Sequence, residues 1–274
     1  MKAFLFCLLL WGASLQGKVY DCFLFFNEIE ILKIRLAELN EVVDHFVLVE
    51  SLETFQGNPK PLFFEENKEE FAPYLDKIIH IVVERHPEFL DHWDREAYQR
   101  SCTERGVVDA DDSDTVMLSD CDEIPRAEVV VDMKNADWHP KAQFYFLMDV
   151  YMIHLNRVLP RKRWVGSIAT TANNYRQMGR ALWQHKRERR KNSPNVTLYR
   201  HAGWHFTSIG DCENLIYKTG SYSHLKTPKQ TKEIYAARTK DSHDLVAIDE
   251  TFPRYVQENK DYLTSIGYIF PIDK

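Results

Sequence analysis

The sequence lacks a basic surplus: 35 Lys and Arg stand against 41 Asp and Glu, a formal net charge of −6. A global positive field for nucleic acid is therefore absent, and any polyanion must be met by a local cluster. Among the five cysteines there is no CxxC pair, which argues against a structural zinc site. After the first residues no apolar run approaches the roughly 20 residues that span a bilayer. No internal repeat is visible, which points to one continuous domain rather than an array.

What remains is an ordinary globular composition, 44% apolar and 28% charged over 274 residues, enough for one large domain with a real core. Lys2 precedes an apolar run over residues 3–11, followed by small or polar residues to Gly17. This is the pattern of a secretory leader over residues 1–17, with cleavage sites after Ser14 or Gly17. Left uncleaved it would anchor the chain, and membrane association is expected through this segment alone. The predicted location is the secretory lumen (Golgi or ER) or the outside of the cell. Cys22, Cys102, Cys121 and Cys212 follow the leader, and in an oxidising lumen they permit two disulfides. Asn195 begins an N-glycosylation acceptor pattern with Thr197, whereas Pro194 spoils the pattern at Asn192.

Residues 18–26 are rich in β-formers and read as a first strand. Asn27 and Glu30 then form a loose capping box before apolar residues at helical spacing, Leu32, Leu36, Leu39 and Val43. Residues 45–50 read as a second strand, which completes a βαβ unit with parallel pairing. A helical stretch over 65–75, a third strand over 77–83 and a helix over 91–106 continue the alternation. Residues 142–155 and 196–206 read as later strands, and residues 211–219, 228–238 and 249–259 as helical pieces. The expected fold is α/β: a mostly parallel sheet flanked by helices, nucleotide-binding half first, over residues 18–274.

The stretch around which this organises is Thr115 to Arg126. A short apolar run reads as a buried strand and stops in three acids, Asp120, Asp122 and Glu123. Ionised carboxylates cannot sit in a dry core uncompensated. A hard divalent cation with oxygen ligands is the natural partner. The carboxyl end of a strand is also where open α/β sheets place their ligands.

The run Ser119-Asp120-Cys121-Asp122-Glu123-Ile124-Pro125-Arg126 resembles glycosyltransferase family 17. So do the blocks at 19–23 with 26–28, at 49–51 with Thr54, Phe55 and Gly57, and at 94–96. Ala202-Gly203-Trp204-His205-Phe206 and Phe252-Pro253-Arg254-Tyr255 complete the pattern. Where the family usually has a small aliphatic residue between the aspartates, this chain has Cys121. The resemblance implies a GT-A-like, Rossmann-like fold and a metal-dependent, inverting glycosyltransferase. Its partners would be a UDP-sugar donor, UDP-GlcNAc, and a glycan acceptor, a mannose of an N-glycan; nucleic acid is not expected. The cofactor would be manganese or magnesium. The alternative is a secreted carbohydrate-binding protein of the same fold without catalysis, against which the paired aspartates argue.

On that reading Asp120 and Asp122 ligate the metal, and Glu123 orients its neighbours. His224 is the expected third ligand, because imidazole suits manganese-type ions. Glu50, Arg95, Asp120 and Cys121 are expected at the donor, and Trp204 and His205 at the acceptor. Inverting transfer needs a general base. Glu213 and Asp211 are the expected candidates, with Asp149 behind them. The basic run over residues 186–191 reads as a solvated loop.

Overall fold

The computed structural model describes residues 17–88, 90–136, 138–139, 141–179, 181–183, 195–240 and 244–272. The leader and the basic run at 186–191 lie outside the described residues. In chain order the first elements are β1 (Val19–Leu24), α1 (Ile29–Leu39), β2 (His45–Ser51) and α2 (Phe63–Glu66). They are followed by β3 (Ile78–Val83), α3 (His92–Ser101), β4 (Thr115–Asp120), β5 (Glu123–Pro125) and α4 (Ala127–Lys134). Then come β6 (Gln143–Met152), β7 (Val158–Thr171), α5 (Ala172–Met178), β8 (Val196–Thr207), α6 (Cys212–Ser221) and α7 (Pro228–Thr239). Two short helices, α8 (Arg254–Glu258) and α9 (Lys260–Ser265), close the described chain.

One eight-stranded sheet runs in the order β3-β2-β1-β4-β7-β6-β8-β5. The first four strands are mutually parallel, and β7 enters antiparallel to both β4 and β6. Strand alternation divides the core into two layers. Val19, Phe23, Phe46, Leu48 and Met117 face one side with Ile31, Leu32 and Leu36 of α1. Tyr20, Cys22, Val47, Val49, Val116 and Leu118 face the other, with Cys102, Ala172 and Tyr175. The parallel strands are apolar on both faces because helices cover both.

The expected α/β order with the parallel half first is present. The long strand β7 is an addition to the sequence expectation, and the piece expected as one helix over 249–259 begins after Pro253 at Arg254. Pro253 fixes its own φ and is the N-cap.

β5 leaves β4 through the two-residue turn Cys121-Asp122 and pairs with β8, Glu123 opposite His205 and Pro125 opposite Gly203. The close approach needs glycine at 203, since a Cβ there would meet the Ile124 carbonyl oxygen. Gly203→Ala is expected to cost about 1–3 kcal/mol through overpacking, read as a lower urea midpoint at unchanged slope.

Candidate functional site

The chain builds β1, β2 and β3 outward in one direction and adds β4 on the other side of β1. Such a reversal opens a crevice at the carboxyl ends of the strands. A cavity of about 420 Å³ lies there, within the roughly 300–1,000 Å³ of small-molecule sites. Phe25 and Phe26 after β1, Glu53 to Phe55 after β2, Gln99 and Arg100 of α3 and the turn Asp120–Glu123 line one part. Trp164 of β7, His205 and Thr207 of β8, and Tyr222 to His224 after α6 line the other.

The turn is held from below by Arg35, which is fully buried on the sheet-facing side of α1. Its Nε and Nη2 donate to the two oxygens of Asp21 at 2.8 and 2.5 Å, and Nη2 also donates to Ser119 Oγ at 2.5 Å. Nη1 donates to the carbonyls of Asp120, Cys121 and Glu123 at 3.1, 3.3 and 2.9 Å. The rigid fork of the guanidinium suits this task, because three carbonyls of a tight turn converge on one donor group, with Ser167 Oγ adding a second bond to Glu123 at 3.3 Å.

Each acid of the turn has its own partner. Asp120 Oδ1 accepts from Arg100 Nη1 at 2.6 Å, and Arg100 also pairs with Glu96 at 3.1 Å beneath the ring of Trp183. Asp122 Oδ2 accepts from Lys218 Nζ at 3.2 Å, and the same ammonium pairs with Glu28 at 2.6 Å. His205 Nε2 stands 3.7 Å from Asp122 Oδ1. Glu123 accepts from the Asp120 backbone N–H at 2.7 Å and from Trp164 Nε1 at 2.5 Å. It therefore braces the turn instead of presenting its oxygens to a ligand.

Burial would strip the proton from Lys218, but the attraction of Glu28, Tyr222 and Asp122 outweighs it, and its pKa lies well above the ordinary lysine value. Burial would likewise raise Glu28, yet Lys218 and the backbone N–H groups of Asn27 and Phe26 bring it below the ordinary value. The cavity is nonetheless acidic. Glu28, Glu53, Glu96, Asp120, Asp122 and Glu123 border it, against Lys60 and Arg100.

Several expected site residues lie elsewhere. Glu50 is fully buried, where it accepts from Lys60 Nζ and from the Phe64 N–H, both at 3.3 Å; it anchors Lys60 and does not border the cavity. Arg95 donates to the Phe55 carbonyl at 3.2 Å and packs against Gly57, so it supports a loop. Trp204 is a core residue, stacked on Phe206 with Arg126 over its ring at 4.1 Å. Strand alternation puts Trp204 and Phe206 inside and His205 into the cavity. Asp211 is the N-cap of α6, accepting from the Asn214 N–H at 2.8 Å, and Glu213 is exposed in the first turn. Both serve the helix start, and neither borders the cavity. Asp149 pairs with Arg163 and His201, each at 3.0 Å.

Cys121 does line the cavity, with its thiol pushed well up by burial and so unreactive. Cys22, Cys102, Cys121 and Cys212 are all free thiols, so the two disulfides are not formed. Asn195 sits half-buried in a turn at the start of β8. His224 borders the cavity with its ring edge-on to Trp93 at 4.5 Å. Among the described residues no three His, Cys, Asp or Glu side chains gather as metal ligands, so Asp120, Asp122 and His224 do not form a cage.

A divalent cation that arrives with a substrate's phosphates needs no such cage, because one or two carboxylates and the phosphate oxygens complete its shell. The hard oxygens of Asp120 and Asp122, on a cavity with an acidic surplus, fit that mode.

Reading residue types missed Arg35, Asp21, Glu28 and Lys218 as parts of the site. A signal was present: Arg35 lies on the apolar face of α1 with Ile31, Leu32 and Leu39. Lys218 follows Leu215 by three residues on the buried side of α6. A lone cation on a buried helix face requires an anion opposite.

A family model described as Glycosyltransferase family 17 matches residues 6–243. Over 134 residues the chain is 31% identical to the "Beta-1,4-mannosyl-glycoprotein 4-beta-N-acetylglucosaminyltransferase" of Homo sapiens and to that of Rattus norvegicus. The match spans 46% of this chain and 25% of each relative, so the chain aligns with a quarter of the length of these proteins. Among solved structures, the galactosyltransferase LgtC in complex with donor and acceptor sugar analogues is similar at 10% identity and a TM-score of 0.34. That likeness covers 85% of this chain and 98% of the other. No helix among the described residues is long and apolar enough to cross a membrane.

Proposed function

Because the chain belongs to glycosyltransferase family 17, we propose that it transfers N-acetylglucosamine from UDP-GlcNAc to a mannose of an N-glycan, with inversion at the sugar. The observation that carries this is the braced pair Asp120 and Asp122 on a cavity at the switch point of the sheet. The nucleotide lies over the parallel half, between Phe26, Phe55 and Gln99. The acceptor approaches from the β7–β8 side, past Trp164 and His205.

The acidic lining opposes a bare diphosphate, so the donor enters with a manganese or magnesium ion at Asp120 and Asp122. Asp120 and Asp122 would hold that ion, and it would supply Lewis-acid stabilisation of a diphosphate leaving group. The protein's own part is orientation. Arg100 and Lys218 hold the two carboxylates in place, and Arg35 fixes the backbone between them. Glu123 locks the indole of Trp164, which presents a flat wall to the acceptor sugar.

Purified protein given UDP-GlcNAc and an N-glycan with an exposed core mannose is expected to release UDP. EDTA should stop the release and manganese restore it. Asp122→Asn should lower kcat/KM by about 100-fold or more, as expected when a charge aimed at the reacting centre is removed. Turnover that survives both EDTA and Asp122→Asn would refute the metal role. Absence of UDP release with every nucleotide sugar would refute the transferase reading.

A further inference from the structure

We propose that Glu53 reads the ribose hydroxyls of the nucleotide in this cavity, and that the buried His86 behind it holds the carboxylate in position. The inference rests on the transferase reading above.

Glu53 follows the end of β2 by two residues, at the carboxyl edge where β1 and β4 also end, and its side chain borders the cavity. In nucleotide-binding α/β sheets an acid on the order of 20 residues beyond the first strand–helix turn accepts hydrogen bonds from the ribose. Glu50, the acid at the end of β2 itself, is consumed by Lys60 and the Phe64 N–H, which leaves Glu53 as the acid this edge offers to a ligand.

The carboxylate is held on one side only. Among the described residues its hydrogen bonds go through Oε2, to His86 Nδ1 at 3.1 Å and to the His86 backbone N–H at 3.4 Å. The side chain is 27% exposed, while that of His86 is 1% exposed. Burial holds the His86 pKa below its ordinary value despite the pull of Glu53, so the ring is neutral. A neutral ring carries one N–H, and the neighbouring carboxylate places it on Nδ1. His86 is therefore an orienting donor and not a counter-charge. Among the described residues its Nε2 is buried with no hydrogen-bond partner, and the ring packs edge-on against Tyr98 at 6.0 Å, so its polar contact goes to Glu53.

An ionised carboxylate accepts hydrogen bonds and donates none. It repels phosphate and suits a vicinal diol, two hydroxyls that can both donate to it. Phe55, two residues on, faces the ring of Tyr222 across 6.3 Å and supplies an apolar wall beside that diol for the base.

The test is calorimetric titration of the full chain, with manganese present, using UDP and its 2′-deoxy and 3′-deoxy forms. Wild-type protein is expected to bind UDP about tenfold more tightly than at least one deoxy form, a difference near 1.4 kcal/mol. Glu53→Gln should bring that ratio to about two while leaving affinity for the deoxy form unchanged. His86→Ala should lower the ratio in the same way. His86→Asn, whose amide N–H can stand in for Nδ1–H, should keep it. A Glu53→Gln ratio equal to that of wild type overturns the role of Glu53 and leaves the transferase reading intact. Wild-type protein that binds none of the three nucleotides overturns both.

Discussion

Arg35→Met is expected to destabilise the protein by about 3–5 kcal/mol, the cost of breaking a buried ion pair by removing one partner. Methionine matches the length and fills the space, so the loss comes from what the guanidinium leaves behind. The Asp21 carboxylate is fully buried, the carbonyls of Asp120 and Cys121 lose the guanidinium donor, and that of Glu123 keeps only Ser167 Oγ at 3.3 Å from a side chain. Each unsatisfied buried group carries its own desolvation cost. In a chain of this size the expected loss lowers Tm by about 6–20 °C. Arg35→Met with Asp21→Leu removes the stranded charge as well and should recover part of the loss, a non-additivity that a double-mutant cycle measures. A single variant within about 0.5 kcal/mol of wild type would show that the turn is held by something other than this fork.

Lys218→Met should act on turnover more than on the fold. Lys218 Nζ lies between Glu28 at 2.6 Å and Asp122 at 3.2 Å, and without it two carboxylates of like charge face each other across the edge of the cavity. They repel, Asp122 turns away from its observed position, and kcat/KM for donor turnover is expected to fall about 100-fold or more. A charge-conserving Lys218→Arg should be less damaging to stability, yet its planar fork does not reproduce a compact ammonium between two anions. The pairing makes a sharper claim. Glu28→Gln in the Lys218→Met background should restore part of the lost activity, because it removes the repulsion. Equal rates for the single and double variants would mean that Lys218 acts on the donor directly and not through Asp122.

The first half of the fold was legible because its signals are local. β1, β2 and β4 are short apolar runs, and α1 shows its spacing in Ile31, Leu32, Leu36 and Leu39. β7 was hidden, since its first part holds Pro160, Lys162 and Arg163, which look like a loop and are exposed in the folded chain. Apart from Leu159, burial in this strand begins only at Val165. The paired aspartates announced themselves by their density at a strand end. Their partners did not, because Arg35, Arg100 and Lys218 come from three helices separated by up to about 180 residues of sequence, and only the tertiary fold brings them together. The expectation of a compensating cation was sound chemistry, and the fold meets it first with side chains. The base candidates lie away from the cavity for the same reason in reverse: Asp211 sits at a helix start, where an acid has a local use that periodicity cannot tell from a catalytic one.

Pro125 and Gly203 lie opposite each other where β5 joins β8, so the strand that follows the acidic turn is paired to the strand that carries His205. Floor and acceptor-side wall are thereby one ribbon, hydrogen-bonded along its length, and they cannot part without tearing the ladder. The opposite rim, at residues 53–55 and 222–224, is built from loops. The carboxylates and His205 are thus fixed to one another by backbone pairing, and any adjustment of the cavity to a ligand falls to the loop side.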